Sequence, residues 1–164
     1  MERYTVRLTG DDLMFSAAHF ISFGSEHCER LHGHNYRVVA EVSGPLDGDA
    51  LVVDFVALKQ LLREELADLD HRVLLPTQSE HFTLHDDRER DEVTVAFGAR
   101  RWVFPRGDCA LLPVSNTTAE STARLLARSL FEKIRRRTQA RVEHVRVEVC
   151  ESSGCAAACE VSGD

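Results

Sequence analysis

No stretch of this chain is apolar for long enough to span a bilayer, which takes about 20 consecutive apolar residues in a helix; charged side chains make up 29% of the 164 residues and interrupt every run. An excess of positive charge is also missing. With 20 Lys and Arg against 27 Asp and Glu, the net charge is −7 and the chain offers no general surface for nucleic-acid phosphates. The one basic run, Lys133, Ile134, Arg135, Arg136 and Arg137, falls at the end of an expected helix, where cations suit the negative end of the dipole. The opening segment MERYTVRLTGDD has no apolar core of signal-peptide length, so the cytoplasm is the expected compartment. Five cysteines, an odd number, argue for thiols that stay reduced rather than for a disulfide framework. Proline (4) and glycine (9) are too few and too scattered to mark a linker or a low-complexity block. One domain covering residues 1–164 is the expectation, and a chain of that length can bury a core without covalent staples.

What is present is ordinary globular patterning, with 43% hydrophobic residues. Residues 3–9 and 12–20 look extended, and YRVVAEVS (36–43) alternates as a strand before stopping at Gly44 and Pro45. Asp54 can cap a helix whose apolar positions Phe55, Leu58, Leu62, Leu66 and Leu69 recur at the helical interval. Thr117 and Glu120 read as a capping box before a second helix with Ala123, Leu126, Leu130 and Ile134 on one face. RVEHVRVEV (141–149) is the last expected strand, and VTVAFGARRWVFP is expected to be a hairpin turning near Gly98 after the charged loop DDRERDE. Alternating strands with two one-sided helices describe an α+β fold, an antiparallel sheet covered on one face.

The chemistry centres on CERLHGHNY (28–36). In extended backbone His32 and His34 project from the same face, and His19 at the end of FSAAH can join them across the sheet. Three imidazoles with a fourth position open is the ligand count of a catalytic zinc. Gly33 between them lets a neighbour approach the backbone. A turn with incidental histidines is the competing reading of the spacing. Cys28, the Asp70–His71 pair and Glu151 add groups able to move protons.

FSAAH (15–19), CERLHGHNY (28–36), VVDFVALKQLL (52–62), LDH (69–71), NTTAE (116–120) and VRVEVCES (145–152), in that order and over nearly the whole chain, resemble the 6-pyruvoyl-tetrahydropterin synthase and 6-carboxy-tetrahydropterin synthase family. The resemblance implies a tunnelling fold: a four-stranded antiparallel sheet with two helices on one face, plus an inserted β-hairpin at 79–106, assembling into an oligomeric barrel. In this family the assembly is usually a homohexamer of two trimers, with active sites at subunit contacts. It implies Zn2+ held by His19, His32 and His34, catalysis by Cys28, Asp70 and His71, and a pterin held by Glu151 with Thr117 and Thr118. NTT stands where many relatives have a proline after the asparagine.

The implied substrate is 7,8-dihydroneopterin triphosphate, a small molecule, with no nucleic-acid or membrane partner. Three residues between Cys28 and His32 resemble the 6-carboxy-tetrahydropterin synthases of the 7-deazapurine (queuosine) pathway, lyases that lose triphosphate and acetaldehyde. A 6-pyruvoyl-tetrahydropterin synthase, which keeps the three-carbon side chain, is the alternative product class, and a pterin-binding paralogue without turnover is another. A structural zinc protein would need four ligands where the motif offers three. His27, His81, His85 and His144 are expected at loops or surface, and Trp102 in the core. Cys150, Cys155 and Cys159 have no familiar ligand spacing, and the 79–106 segment is expected to be a surface hairpin or an oligomer contact rather than a lid.

Overall fold

The computed structural model describes residues 2–163. In chain order the elements are β1 (Tyr4–Leu8), β2 (Met14–His19), β3 (Ser22–Phe23), β4 (His27–Cys28), β5 (His32–Gly44), α1 (Phe55–Ala67), β6 (Arg72–Pro76), β7 (Thr83–Asp87), β8 (Glu92–Phe97), β9 (Arg100–Pro105), β10 (Cys109–Leu112), α2 (Ala119–Arg137), β11 (His144–Ser152) and β12 (Cys155–Ser162). The fold is α+β.

β5 is the spine of the main sheet. Its 13 residues pair antiparallel with β1, β2 and β11, and β12 extends the sheet beyond β11. The sheet is larger than the four strands expected: it has seven, in the order β10-β6-β2-β5-β11-β12 with β1 also on β5. It is also mixed, because β6 runs parallel to β2 and to β10. RVLLP and CALL are too short and too evenly apolar for periodicity to show them as strands.

Asp54 caps α1 as expected, its carboxylate accepting from the amides of Val56 at 3.1 Å and Ala57 at 3.3 Å. The cap of α2 lies one residue later than the capping box suggested. Thr118, not Thr117, accepts from the Ser121 amide at 3.2 Å. Both helices lay their apolar stripes on the sheet face that carries Phe15, Tyr36, Val38, Ala40, Val145 and Val147, and this is the main core.

A second core lies on the other side. β7, β8 and β9 form a three-stranded antiparallel meander where a two-stranded hairpin was expected. TLHDD alternates too little to be seen as a strand, but pairs fully with β8. Val93, Val95 and Phe97 turn inward to meet Leu75, Cys109 and Phe20. Consecutive residues of β6 therefore serve different cores, Leu74 facing the helices and Leu75 the meander. A strand covered on both faces reads as a continuous apolar run, which is what LL in β6 and CALL in β10 are.

Candidate active site

The register of β2 on β5 assembles the histidines. His19 lies opposite His32, and Ala17 opposite His34; residues directly opposite share a sheet face, so all three imidazoles emerge together with Phe15 and Tyr36. Ring centroids are 4.8 Å apart for His19 and His32, 5.4 Å for His19 and His34, and 4.9 Å for His32 and His34. One ring nitrogen from each lies within 4.8 Å of those of the other two.

Backbone carbonyls set two of the rings. His19 Nδ1 is 2.7 Å from the Thr117 carbonyl and His32 Nδ1 is 2.8 Å from the Arg30 carbonyl. A carbonyl only accepts, so each Nδ1 carries the proton and each Nε2 keeps a free lone pair. Burial lowers the pKa of His19, opposed by its bond to Thr117, so its neutral form is favoured. Glu151 Oε1 nevertheless sits 3.2 Å from His19 Nε2 and 3.4 Å from His34 Nε2. A carboxylate facing the Nε2 lone pair of His19 is repelled unless a proton or a cation lies between them. The donor set fits a metal cation, with second-sphere carbonyls already in place.

Tyr36 completes this corner, its hydroxyl 3.2 Å from His19 Nε2 and 3.4 Å from Glu151 Oε1, with its pKa raised by burial and then by Glu151. Neither Tyr36 nor its role was visible in the sequence, where it read only as the first residue of a strand. Thr117 is buried, and its hydroxyl donates to the Phe20 carbonyl at 3.3 Å. In the protomer it serves the site through its carbonyl rather than its side chain. Thr118 shares a cleft with Glu151, Ile21 and Phe23.

Cys28 is buried within the second core, its thiol donating to the Glu29 carbonyl at 3.3 Å. Burial raises its pKa, and Glu29 adds to the rise while Arg100 opposes it. Glu29 is a group that the sequence reading passed over. Its Oε2 is buried without a hydrogen-bond partner and lies 3.9 Å from His32 Nε2.

Asp70 and His71 lie elsewhere. Asp70 Oδ1 accepts from the Ser16 amide at 2.8 Å, the His71 amide donates to the Ser16 carbonyl at 2.6 Å, and His71 Nδ1 meets Asp70 Oδ2 at 2.8 Å. The bond from Ser16 is the main reason the Asp70 pKa is lowered. His71 holds a positive φ of 56°, a conformation that costs energy in a residue other than glycine. Its ring lines an open cleft of about 470 Å³ with Ser16, Ala18, Gly33, Asn35 and Asp108. Ser16, Ala18, Gly33 and Asn35 are the residues of β2 and β5 that alternate with the triad face, and Ala17 and His34 of that face border the cleft as well.

The family model for 6-pyruvoyl tetrahydropterin synthase matches residues 11–162. The chain belongs to this family. A Methanocaldococcus jannaschii protein, provisionally assigned as a 6-carboxy-5,6,7,8-tetrahydropterin synthase, is 30% identical over 143 residues, covering 87% of this chain and 86% of its own. The Haemophilus influenzae 6-carboxy-5,6,7,8-tetrahydropterin synthase is 24% identical, covering 88% and 93%. Among solved structures, the 6-pyruvoyl tetrahydropterin synthase of Plasmodium vivax superposes with a TM-score of 0.87 at 27% identity, covering 99% of both chains. A variant of that enzyme is described as altered at a catalytic glutamate. The function is that of the tetrahydropterin synthase family, and the three histidines are the family member's candidate metal ligands.

Proposed function

We propose that the protein is a zinc-dependent 6-carboxy-5,6,7,8-tetrahydropterin synthase that takes 7,8-dihydroneopterin triphosphate and releases triphosphate and acetaldehyde, in the cytoplasm and in a 7-deazapurine (queuosine) pathway. The observation that carries this reading is the convergence of His19, His32 and His34, two of them oriented by backbone carbonyls, in a chain whose relatives bear that name. Zinc held there supplies a Lewis acid for side-chain oxygens of the substrate.

The chain's own groups divide the proton work. Cys28, once ionised, is the base. Asp70 holds His71 in the tautomer that leaves Nε2 facing outward, ready to give or take a proton. Glu151, in the same cleft as Thr118, accepts hydrogen bonds from the amino-pyrimidine edge of the pterin. His71 is not one of the converging histidines of its own protomer, and a second copy of the chain brings it to the triad and Cys28 of a neighbouring site. The edges left by β10 and β12 are the places where such copies join, and a hexamer is the proposed assembly.

A 6-pyruvoyl product is the second reading, and Glu29 is the observation that favours keeping it. A buried, unpartnered carboxylate oxygen beside both Cys28 and His32 is a second acid–base group, and the Plasmodium vivax relative works with a glutamate. The test is to incubate zinc-loaded protein with 7,8-dihydroneopterin triphosphate, identify products by mass spectrometry and assay acetaldehyde separately. 6-Carboxy-tetrahydropterin with acetaldehyde supports the first reading, and a 6-pyruvoyl product replaces it with the second. Unchanged substrate that still binds makes the protein a pterin-binding paralogue.

A further inference from the structure

The meander does more than cover one side of the sheet. Along β9, Arg100, Trp102 and Phe104 share the inward face, because they pair with Phe97, Val95 and Val93, the buried row of β8. A turn at Gly98, whose φ is +55°, brings Arg100 back opposite Phe97 at the end of that face. From there its guanidinium reaches the end of β4 and the first residue of the segment that leads to β5. Nη1 donates to the Cys28 carbonyl at 2.7 Å and Nη2 to the Glu29 carbonyl at 3.1 Å.

Behind the guanidinium is the Trp102 ring, with its centroid 4.6 Å from Arg100 Cζ. Trp102 in turn stacks on Phe20 at 4.7 Å with planes 22° apart. Phe20 directly follows His19. The meander thus grips both chain segments that carry the site, the end of β2 through Trp102 and the Cys28 segment through Arg100.

We propose that Arg100 is a positioning residue for catalysis, its two-pronged donation to consecutive carbonyls fixing the Cys28–Glu29 segment against the meander. The proposal rests on the reading of Cys28 as the reactive thiol. Cys28 ends β4 and residues 29–31 lie outside any strand. Arg100 bonds the carbonyls of Cys28 and Glu29 at this exit, and the Cys28 thiol shares the Glu29 carbonyl with it, so the same fork that holds the backbone meets the acceptor of the thiol. A planar fork bonding two acceptors at once restrains their direction as well as their distance, and a lysine cannot reproduce it. The aromatic ring holds the guanidinium in place. The charge also matters locally: among the groups around Cys28, Arg100 is the cation, Glu29 the anion and Cys109 a neutral thiol, while Phe20, Phe82 and Phe97 are apolar.

The test compares wild-type protein with Arg100→Ala, Arg100→Lys and, as a control on the outward face of the same strand, Arg101→Ala. Iodoacetamide alkylation of Cys28 is followed against pH, the site being resolved from the other four cysteines by peptide mass spectrometry; kcat and KM are measured on 7,8-dihydroneopterin triphosphate. Arg100→Ala is expected to raise the pH midpoint of alkylation and to increase its limiting rate as the loop loosens. Its kcat should fall about ten- to a hundredfold, as small misplacements of reacting groups do, with KM changed little. Arg100→Lys should keep the alkylation midpoint near wild type while recovering only part of kcat, and Arg101→Ala should match wild type throughout.

Alkylation of Arg100→Ala indistinguishable from wild type in midpoint and limiting rate would overturn the proposal. So would a raised KM at unchanged kcat, which would make Arg100 a substrate ligand instead. Should Arg100→Ala fail to fold, Arg100→Lys decides, because full retention of kcat by a side chain lacking the fork refutes positioning. If the wild-type protein does not turn over the pterin triphosphate, the functional reading fails, while the alkylation profiles still judge the link between Arg100 and Cys28.

Discussion

Phe20→Ala tests whether the second core supports the metal corner. Phe20 is completely buried, with ring neighbours Phe82 at 5.1 Å and Trp102 at 4.7 Å, and its carbonyl accepts the hydroxyl of Thr117, the residue that orients His19. Truncating a buried phenylalanine to alanine costs about 3–5 kcal/mol, the lost transfer free energy plus the cavity left behind. Domains are stable by only about 5–15 kcal/mol, so about a fifth or more of the total is at stake. With a urea slope of about 2 kcal/mol per molar, the midpoint should fall by about 1.5–2.5 M. Trp102, the single tryptophan, stacks on the ring being removed, so its fluorescence reports the change where it occurs. Wild type and variant must be compared at equal protein concentration, because assembly adds to apparent stability. A midpoint drop below about 0.5 M would refute the reasoning, by showing that the meander and the sheet do not depend on this contact.

His32→Ala should release the proposed zinc from purified protein, measured by metal analysis, without altering the far-ultraviolet circular dichroism, since the His32 side chain is 39% exposed; full zinc retention would remove it from the ligand set. Cys28→Ala should retain zinc but lose most turnover, and unchanged turnover would leave Cys28 no part in the mechanism. If Cys28 and His71 meet only between copies, Cys28→Ala and His71→Ala proteins, each inactive alone, should regain about a quarter of wild-type activity when dissociated and reassembled in equal amounts, because one site in four then pairs two intact residues. No recovery would place both residues of a site in one protomer. Asp12 bonds to Lys59 at 2.8 Å and to Arg63, which hold its pKa down to about 2. A depressed carboxylate stabilises the fold above its unfolded value and loses that contribution as pH falls through the folded one. Asp12→Asn should therefore lower the urea midpoint slightly at pH 5 and not at pH 2, an exposed pair being worth little; equal effects at both pH values would contradict the ion-pair origin.

Both helices were legible because their signals are local. Asp54 with a stripe of leucines defines α1, and only the cap of α2 slipped by one residue. β2, β5 and β11 alternate against one core and could be seen as strands. β6 and β10 have apolar residues toward two cores, and β12, with alternate alanines and cysteines on a sheet edge, has too little hydrophobic contrast to register. Within the site, strand parity put His32 and His34 on one face and allowed His19 to join them, and the family resemblance named the three as ligands. Tyr36, Glu29 and Arg100 could not, since each acts through a partner far along the chain or through a buried atom that no spacing reveals.

The one-dimensional pattern determined which residues can share a face, where the helices begin, and that CERLHGHNY carries two imidazoles on one side of a strand. Only the tertiary structure decided that the meander holds the Cys28 segment, that carbonyls of Arg30 and Thr117 select the tautomers of His32 and His19, and that His71 pairs with Asp70 beside Ser16 rather than joining the converging histidines. The reason is one of range. Capping, periodicity and parity act within a few residues, whereas the placement of Arg100 on Cys28, 72 residues apart, depends on how two separate apolar cores close on the strands between them.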